Sequence, residues 1–176
     1  MPNQITEDRI TKLVHRFTHI GETGMRDLPI YNHNLEVEAV GFELTENGWF
    51  GVLITPWFIN AILLPEQKSA ASGPLGEKLT HELASGEHVF NVGEDDEVGG
   101  YDFITLASPT LKYKSQQVAR AAAEKALTKL LTPVDEYQEQ IPEQPVKFVS
   151  TEQKGKQRRK FLCGLLGKDA ASNTAD

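Results

Sequence analysis

Apolar residues recur every three to four positions over Ile5–Ile20. Ile10, Leu13, Val14, Phe17 and Ile20 form one stripe, which predicts an amphipathic helix. Thr6 suits its N-cap, with Glu7 and Asp8 in the positively polarised first turn. Ile5 and Ile10 are spaced for a hydrophobic staple, and Gly21 predicts the stop. Met25–Asn34, interrupted by Pro29, Asn32 and Asn34, reads as a loop. The period then falls to two. In LEVEAVGFELT, Leu35–Thr45, the side chains of Leu35, Val37 and Ala39 alternate with Glu36 and Glu38, as along a half-buried strand. Gly41 marks a bulge where the alternation shifts, and Glu46-Asn47-Gly48 signals a tight hairpin.

The block Gly48–Pro65, GWFGVLITPWFINAILLP, carries no charge over 18 residues. Its length raises a membrane span. Gly48, Gly51, Pro56 and Asn60, and the polar sequence on both sides, argue against one. Pro56 has no N–H and biases Thr55 towards an extended conformation, so the block reads as two buried strands hinged at Thr55-Pro56. Gln67–Gly73 is small and polar and reads as a loop. Glu77–Leu83 reads as a short helix and Glu87–Val92 as a strand. Gly93–Gly100 reads as a turn or short loop, and Tyr101–Ala107 as the partner strand, ended by Ser108-Pro109. Ser115–Leu131 is the second strong helix, with Val118, Ala122, Leu127, Leu130 and Leu131 assigned inward and Lys125 and Lys129 near its negative end. Pro133, Pro142 and Pro145 among Glu and Gln predict a disordered linker. The order predicts an α+β fold: a mainly antiparallel sheet packed against an N-terminal and a C-terminal helix, then a flexible tail. The domain spans residues 1–132 and the linker and basic tail 133–176.

Charge changes this picture in one respect. Residues 1–132 hold 11 Lys+Arg against 18 Asp+Glu, a balance of −7; residues 133–176 hold 7 of each. The tail is segregated, with five acids and one lysine in Pro133–Gln153, then six bases and no acid in Lys154–Lys168. An acidic body disfavours nucleic acid and suits a cationic segment, although solubility alone also accounts for it. The opening MPNQITEDRI has no apolar signal core. The single Cys163 allows no internal disulfide, and a reducing, cytoplasmic setting fits.

Candidate chemistry is sparse. His15 and His19 lie one helical turn apart, a spacing that can grip a metal, but on the side opposite the apolar stripe and without a third ligand. His33, His81 and His88 are isolated and read as turn or surface residues. Glu94-Asp95-Asp96-Glu97 lacks the oxygen-ligand spacing of an EF-hand loop and reads as a solvated hairpin tip. No phosphate loop or nucleophile elbow is present. Cys163 sits in a basic stretch that favours a thiolate but has no ordered partner. No catalyst, cofactor or metal site is expected.

A run of short segments carries more information. Met25-Arg26-Asp27-Leu28 is followed by Gly48-Trp49, Ile54-Thr55-Pro56-Trp57, Leu64-Pro65 and Gly76-Glu77-Lys78-Leu79. Then come Phe90, Val92-Gly93-Glu94, Gly100-Tyr101, Leu106 and Ser108-Pro109. In this order they resemble the HybE/HupJ family of nickel–iron hydrogenase assembly chaperones, over roughly residues 7–132 and again in the tail. The Ile-Thr-Pro-Trp run is the most specific piece. The resemblance implies a non-catalytic cytoplasmic factor that binds the hydrogenase small-subunit precursor, whose twin-arginine signal directs export, with the large subunit as a further candidate partner. Some members are fused to a rubredoxin. This chain lacks the paired cysteines, so no iron site is implied. A cofactor-handling scaffold, with His15, His19 and Cys163 as its ligands, is the alternative.

For peptide binding, Trp49, Trp57 and Phe58 are candidates for apolar contacts. Glu36, Glu38, Glu94, Asp95 and Asp96 are candidates for the signal's arginines. Core packing and a solvated acidic face are the competing readings. The tail reads QRRKFLCG over Gln157–Gly164, so that Arg158, Arg159, Phe161 and Leu162 fill the places of a twin-arginine signal. Its C-terminal position and short apolar run preclude working export. Three readings stand: a basic tail of no particular role, a weak membrane-surface or translocase contact, and a pseudo-signal that occupies the protein's own signal-binding surface.

Overall fold

The computed structural model describes residues 4–66 and 72–135, with 4–7 as backbone only. The linker beyond residue 135, Cys163 and the Arg158-Arg159 segment lie outside the described residues, as do the side chains of the Ile5 staple; Thr6 is not the N-cap, because helix α1 already begins at Gln4. Helix α1, Gln4–Ile20, precedes six strands: β1 Glu38–Thr45, β2 Gly48–Ile54, β3 Ile59–Leu64, β4 Lys78–Leu83, β5 Gly86–Asp95 and β6 Gly99–Ala107. Helix α2, Gln116–Leu131, follows them. The strands form one sheet in the order β1-β2-β3-β6-β5-β4, and all five pairings are antiparallel.

The uncharged block supplies β2 and β3. Both are almost wholly buried because the two faces of the sheet each carry a helix. Leu13 and Phe17 of α1 pack with Leu53, Ile62 and Leu64 on one face. Ala119, Ala123 and Leu127 of α2 pack with Phe50, Val52, Ala61, Leu63 and Phe90 on the other. Residues 61–64 therefore alternate between two cores, which explains an apolar run without a period. The bulge expected at Gly41 is present: the β1–β2 register shifts between Val40 and Glu43. Gly41 has φ +60, and a Cβ there would lie 2.5 Å from the Leu127 side chain.

Four further expectations need correction. Glu77–Leu83 is not a helix; Lys78–Leu83 is edge strand β4, paired with Gly86–Asn91. Leu79, His81 and Leu83 alternate with the exposed Lys78, Thr80 and Glu82. The cross-strand ladder, available only in three dimensions, outweighs the weak local helical signal. Gly93–Asp95 is strand as well, and the turn shrinks to Asp96-Glu97-Val98. Val118 faces outward at 52% exposure, because the buried stripe runs through Ala119, Ala123 and Leu127. In the segment before β1, Leu35 joins the α2-side core and Val37 the α1 side, because regular pairing begins only at Glu38.

The sheet curls around α2. Asn47 Nδ2 donates to Glu82 O at 2.9 Å, joining the β1–β2 hairpin to β4 at the far end of the strand order. The rings of Phe50 and Phe90 meet at 6.1 Å inside the curl. Ser115 caps the N-terminus of α2 by accepting from Val118 N–H. At the other end Ser85 Oγ donates to Leu130 O at 2.8 Å.

Candidate functional site

Three connecting segments meet where β2 turns into β3. Thr55 is fully buried, and its hydroxyl oxygen accepts from Trp57 N and Phe58 N at 3.3 and 2.9 Å. Asn32 N donates to Pro56 O at 2.8 Å. Asn32 Nδ2 donates to Thr110 O and Tyr113 O at 2.9 and 2.8 Å, and Thr110 Oγ1 donates to Pro56 O at 2.5 Å. The side chains of Asn32 and Thr110, both buried, thus satisfy the backbone of loops that no sheet covers.

Helix α1 does not stop at Gly21. It passes into a π-type turn, Gly21–Met25, closed by Arg26 N donating to Gly21 O at 2.9 Å. Such wide turns concentrate at functional sites. Gly21 lets Trp57 approach closely: a Cβ there would come within 3.1 Å of the indole, a tight contact. Trp57 in turn stacks on Tyr31 with ring centroids 6.1 Å apart. Beside this stack opens a cleft of about 350 Å³, walled by Gly21, Glu22, Arg26, Tyr31, His33, Glu36, Val37 and Pro56. Its lining combines the aromatic Tyr31 and the aliphatic Leu35, Val37 and Pro56 with two carboxylates and one guanidinium.

The expected peptide-binding residues fall in separate places. Glu36 lines this cleft. Trp57 is 7% exposed and packs against Tyr31 and Gly21, two residues of the cleft lining. Phe58 is half-buried, edge-on to Phe17 and Trp57 at 5.5 and 5.6 Å. Trp49 lies at the opposite end of β2, half-buried and paired with Leu64 and Leu44. Glu38 is 2.7 Å from Arg120 Nε and accepts from Gln116 Nε2 at 2.6 Å.

The acidic turn is not a uniformly solvated tip. Glu94 and Asp96 are exposed, but Asp95 is largely buried. Its Oδ2 lies 2.7 Å from Arg16 Nε, and its Oδ1 accepts from Glu97 N and Val98 N at 2.9 and 3.3 Å. Burial opposes ionisation of Asp95, but Arg16 and the two backbone N–H groups outweigh it and hold the carboxyl below its usual range.

Several residues have roles that the sequence did not reveal. Arg9 is 3% exposed and donates to Val98 O and Gly100 O at 3.3 and 3.0 Å, and to Pro65 O. Burial lowers its pKa. His81 is not isolated: its Nε2 is 2.8 Å from Oδ2 of Asp102, a fully buried carboxyl whose Oδ1 has no partner among the described residues. A lone Asp inside the apolar strand GGYDFITLA was the one available signal. His88 is likewise bonded, 2.7 Å from Ser85 Oγ. Ser85 gives its only hydroxyl proton to Leu130 O, so His88 is the donor; the pair caps α2 and is not a nucleophile with its base. His15 and His19 are exposed. Among the described residues no group of three or more His, Cys, Asp or Glu could hold a metal ion, and no helix is long and apolar enough to cross a membrane.

Comparison with known proteins gives this geometry a setting. The family model for [NiFe]-hydrogenase assembly chaperone HybE matches residues 8–164. The chain is 34% identical over 154 residues to the hydrogenase expression/formation protein HupJ of Bradyrhizobium diazoefficiens, covering 88% of this chain and 86% of that one. It is 34% identical over 132 residues to HoxT of Cupriavidus necator, covering 68% and 74%. The solution structure of HybE from Escherichia coli superposes with a TM-score of 0.54 at 26% identity, covering 70% of this chain and 77% of that one. The chain therefore belongs to the HybE family of [NiFe]-hydrogenase assembly chaperones.

Proposed function

We propose that this chaperone acts in the cytoplasm on the hydrogenase small-subunit precursor, holding its twin-arginine signal before export. The observation that carries this reading is a convergence. Two of the segments on which the family resemblance rests, Met25–Leu28 and Ile54–Trp57, meet at the Tyr31–Trp57 stack beside one cleft. That cleft pairs apolar walls for a hydrophobic stretch with Glu22 and Glu36 for guanidinium groups, which carboxylates bind through charge-assisted hydrogen bonds. The mechanism is reversible peptide binding, without bond making.

A pull-down with tagged small-subunit precursor, with and without its signal, tests the partner. Capture should require the signal, and the paired substitution Glu22→Gln/Glu36→Gln should weaken it. Equal capture of a signal-less precursor would remove the signal from the reading. Capture of the large subunit in the same assay would identify a second partner.

A further inference from the structure

Glu36 and Glu38 are occupied by groups that look like a bound peptide. The first turns of α2 place Gln116 and Arg120 against the start of β1. Glu36 N donates to Gln116 Oε1 at 2.9 Å, and Gln116 Nε2 donates back to Glu36 O at 3.4 Å. A side-chain carboxamide thus meets both backbone groups of one residue, as the backbone of a neighbouring strand does. One helical turn on, Arg120 Nε donates to Glu38 Oε1 at 2.7 Å, while Gln116 Nε2 reaches Oε2 at 2.6 Å. Among the described residues β1 is an edge strand, with a partner on one side only.

We propose that the Glu36–Glu38 edge is the seat of an extended, arginine-bearing peptide, and that Gln116 and Arg120 fill it in cis until such a peptide arrives. Gln116 stands in for the peptide backbone and Arg120 for its guanidinium. The occupant is an arginine peptide because the carboxylate of Glu38 already accepts a guanidinium N–H, a planar donor set that lysine lacks. It is extended because backbone pairing at an edge requires a strand. Successive side chains of a strand point to opposite faces. An arginine pair would therefore direct one guanidinium to Glu38 and the next to the cleft side, where Glu22 stands. Opening the seat requires two side chains to swing, not a helix to move. Arg120 is half exposed, and α2 is anchored by Ala119, Ala123 and Leu127, which stay in place.

This inference rests on the proposed signal binding, and calorimetry separates the two. The probe is a synthetic peptide carrying Ser-Arg-Arg-Ala-Phe-Leu-Lys, titrated into the full chain, into Gln116→Ala/Arg120→Ala and into Glu38→Gln. Emptying the seat should tighten binding by about tenfold, because apparent affinity scales with the fraction of open molecules. Glu38→Gln should weaken it, and a Lys-Lys peptide should lose the gain. Arg120→Lys, which keeps the charge and the helix, serves if the double variant fails to fold, and should show a smaller gain. Equal or weaker binding by the emptied variants overturns occupancy in cis while leaving signal binding intact. Binding by the variant alone supports a closed seat. Binding by neither overturns both ideas.

Discussion

Two carboxylates of this chaperone each hold an arginine Nε at 2.7 Å, Asp95 with Arg16 and Glu38 with Arg120, yet their surroundings differ. The side chain of Asp95 is 12% exposed, and its second oxygen accepts two backbone N–H groups of its own turn. Beside it Arg9 ties the same turn and the end of β3 to α1 through three carbonyls. Glu38 is 27% exposed and Arg120 50%, and both partners of Glu38 are side chains. The first pair belongs to a network of backbone bonds and fixes the fold. The second joins two side chains of α2 to one carboxylate, and its only backbone contacts are those of Gln116 with Glu36. An ion pair's role follows from what surrounds its carboxylate more than from its distance.

Removing Arg9 should have the largest effect on this contrast. Arg9→Met keeps the aliphatic stem but leaves three carbonyls without their donor, and should cost about 3 kcal/mol or more in urea unfolding. A loss under 1 kcal/mol would mean that water replaces the guanidinium and that this end of the molecule is not locked.

Asp95→Ala comes next. Losing the turn-capping bonds should cost about 1–3 kcal/mol without weakening the signal peptide's binding. Glu38→Gln should show the reverse pattern, with an unfolding midpoint close to that of the parent. The acid limb sharpens the same point. Asp95 titrates below its unfolded value, so its contribution is complete above that value and vanishes as pH falls through the folded one. Glu38 is also held low, with Arg120 and Gln116 outweighing the opposing effect of burial. The Asp95→Ala variant should therefore lose less stability than the parent as pH falls from the unfolded carboxylate value through the lower folded one, and should run parallel to it above that window. Curves that stay parallel through the window as well would assign acid sensitivity elsewhere.

The smallest effect is expected from the tail. If the Arg158-Arg159 segment acts as a pseudo-signal, truncation at Thr151 should tighten peptide binding severalfold and alter its salt dependence. Unchanged affinity and salt slope would leave the tail without that role.

Local pattern carried the helices and the central strands a long way. The stripe Ile10, Leu13, Val14, Phe17 and Ile20 lies on the packed side of α1, and the hinge at Thr55-Pro56 separates β2 from β3. Strand β4 was not legible, because an edge strand half-buried against one neighbour has weak periodicity of its own. The candidate site was legible only in part. The pattern singles out Glu36, Glu38 and Trp57, but Tyr31, Gly21 and Glu22 join Glu36 at the cleft beside Trp57 through a π-type turn where Gly21 predicts a stop.

By itself the sequence determined the inventory: two amphipathic helices, an uncharged block that had to be buried on both sides, and an acidic body with segregated charge in its tail. These follow from periodicity and composition, which act over a few residues. Only the tertiary structure decided which charges meet. Arg9 reaches Gly100 across 91 positions, Arg120 reaches Glu38 across 82 and Arg16 reaches Asp95 across 79. Partners so distant are chosen by how helices dock on a curled sheet, and a buried guanidinium or carboxylate is stable only where that docking supplies its hydrogen bonds.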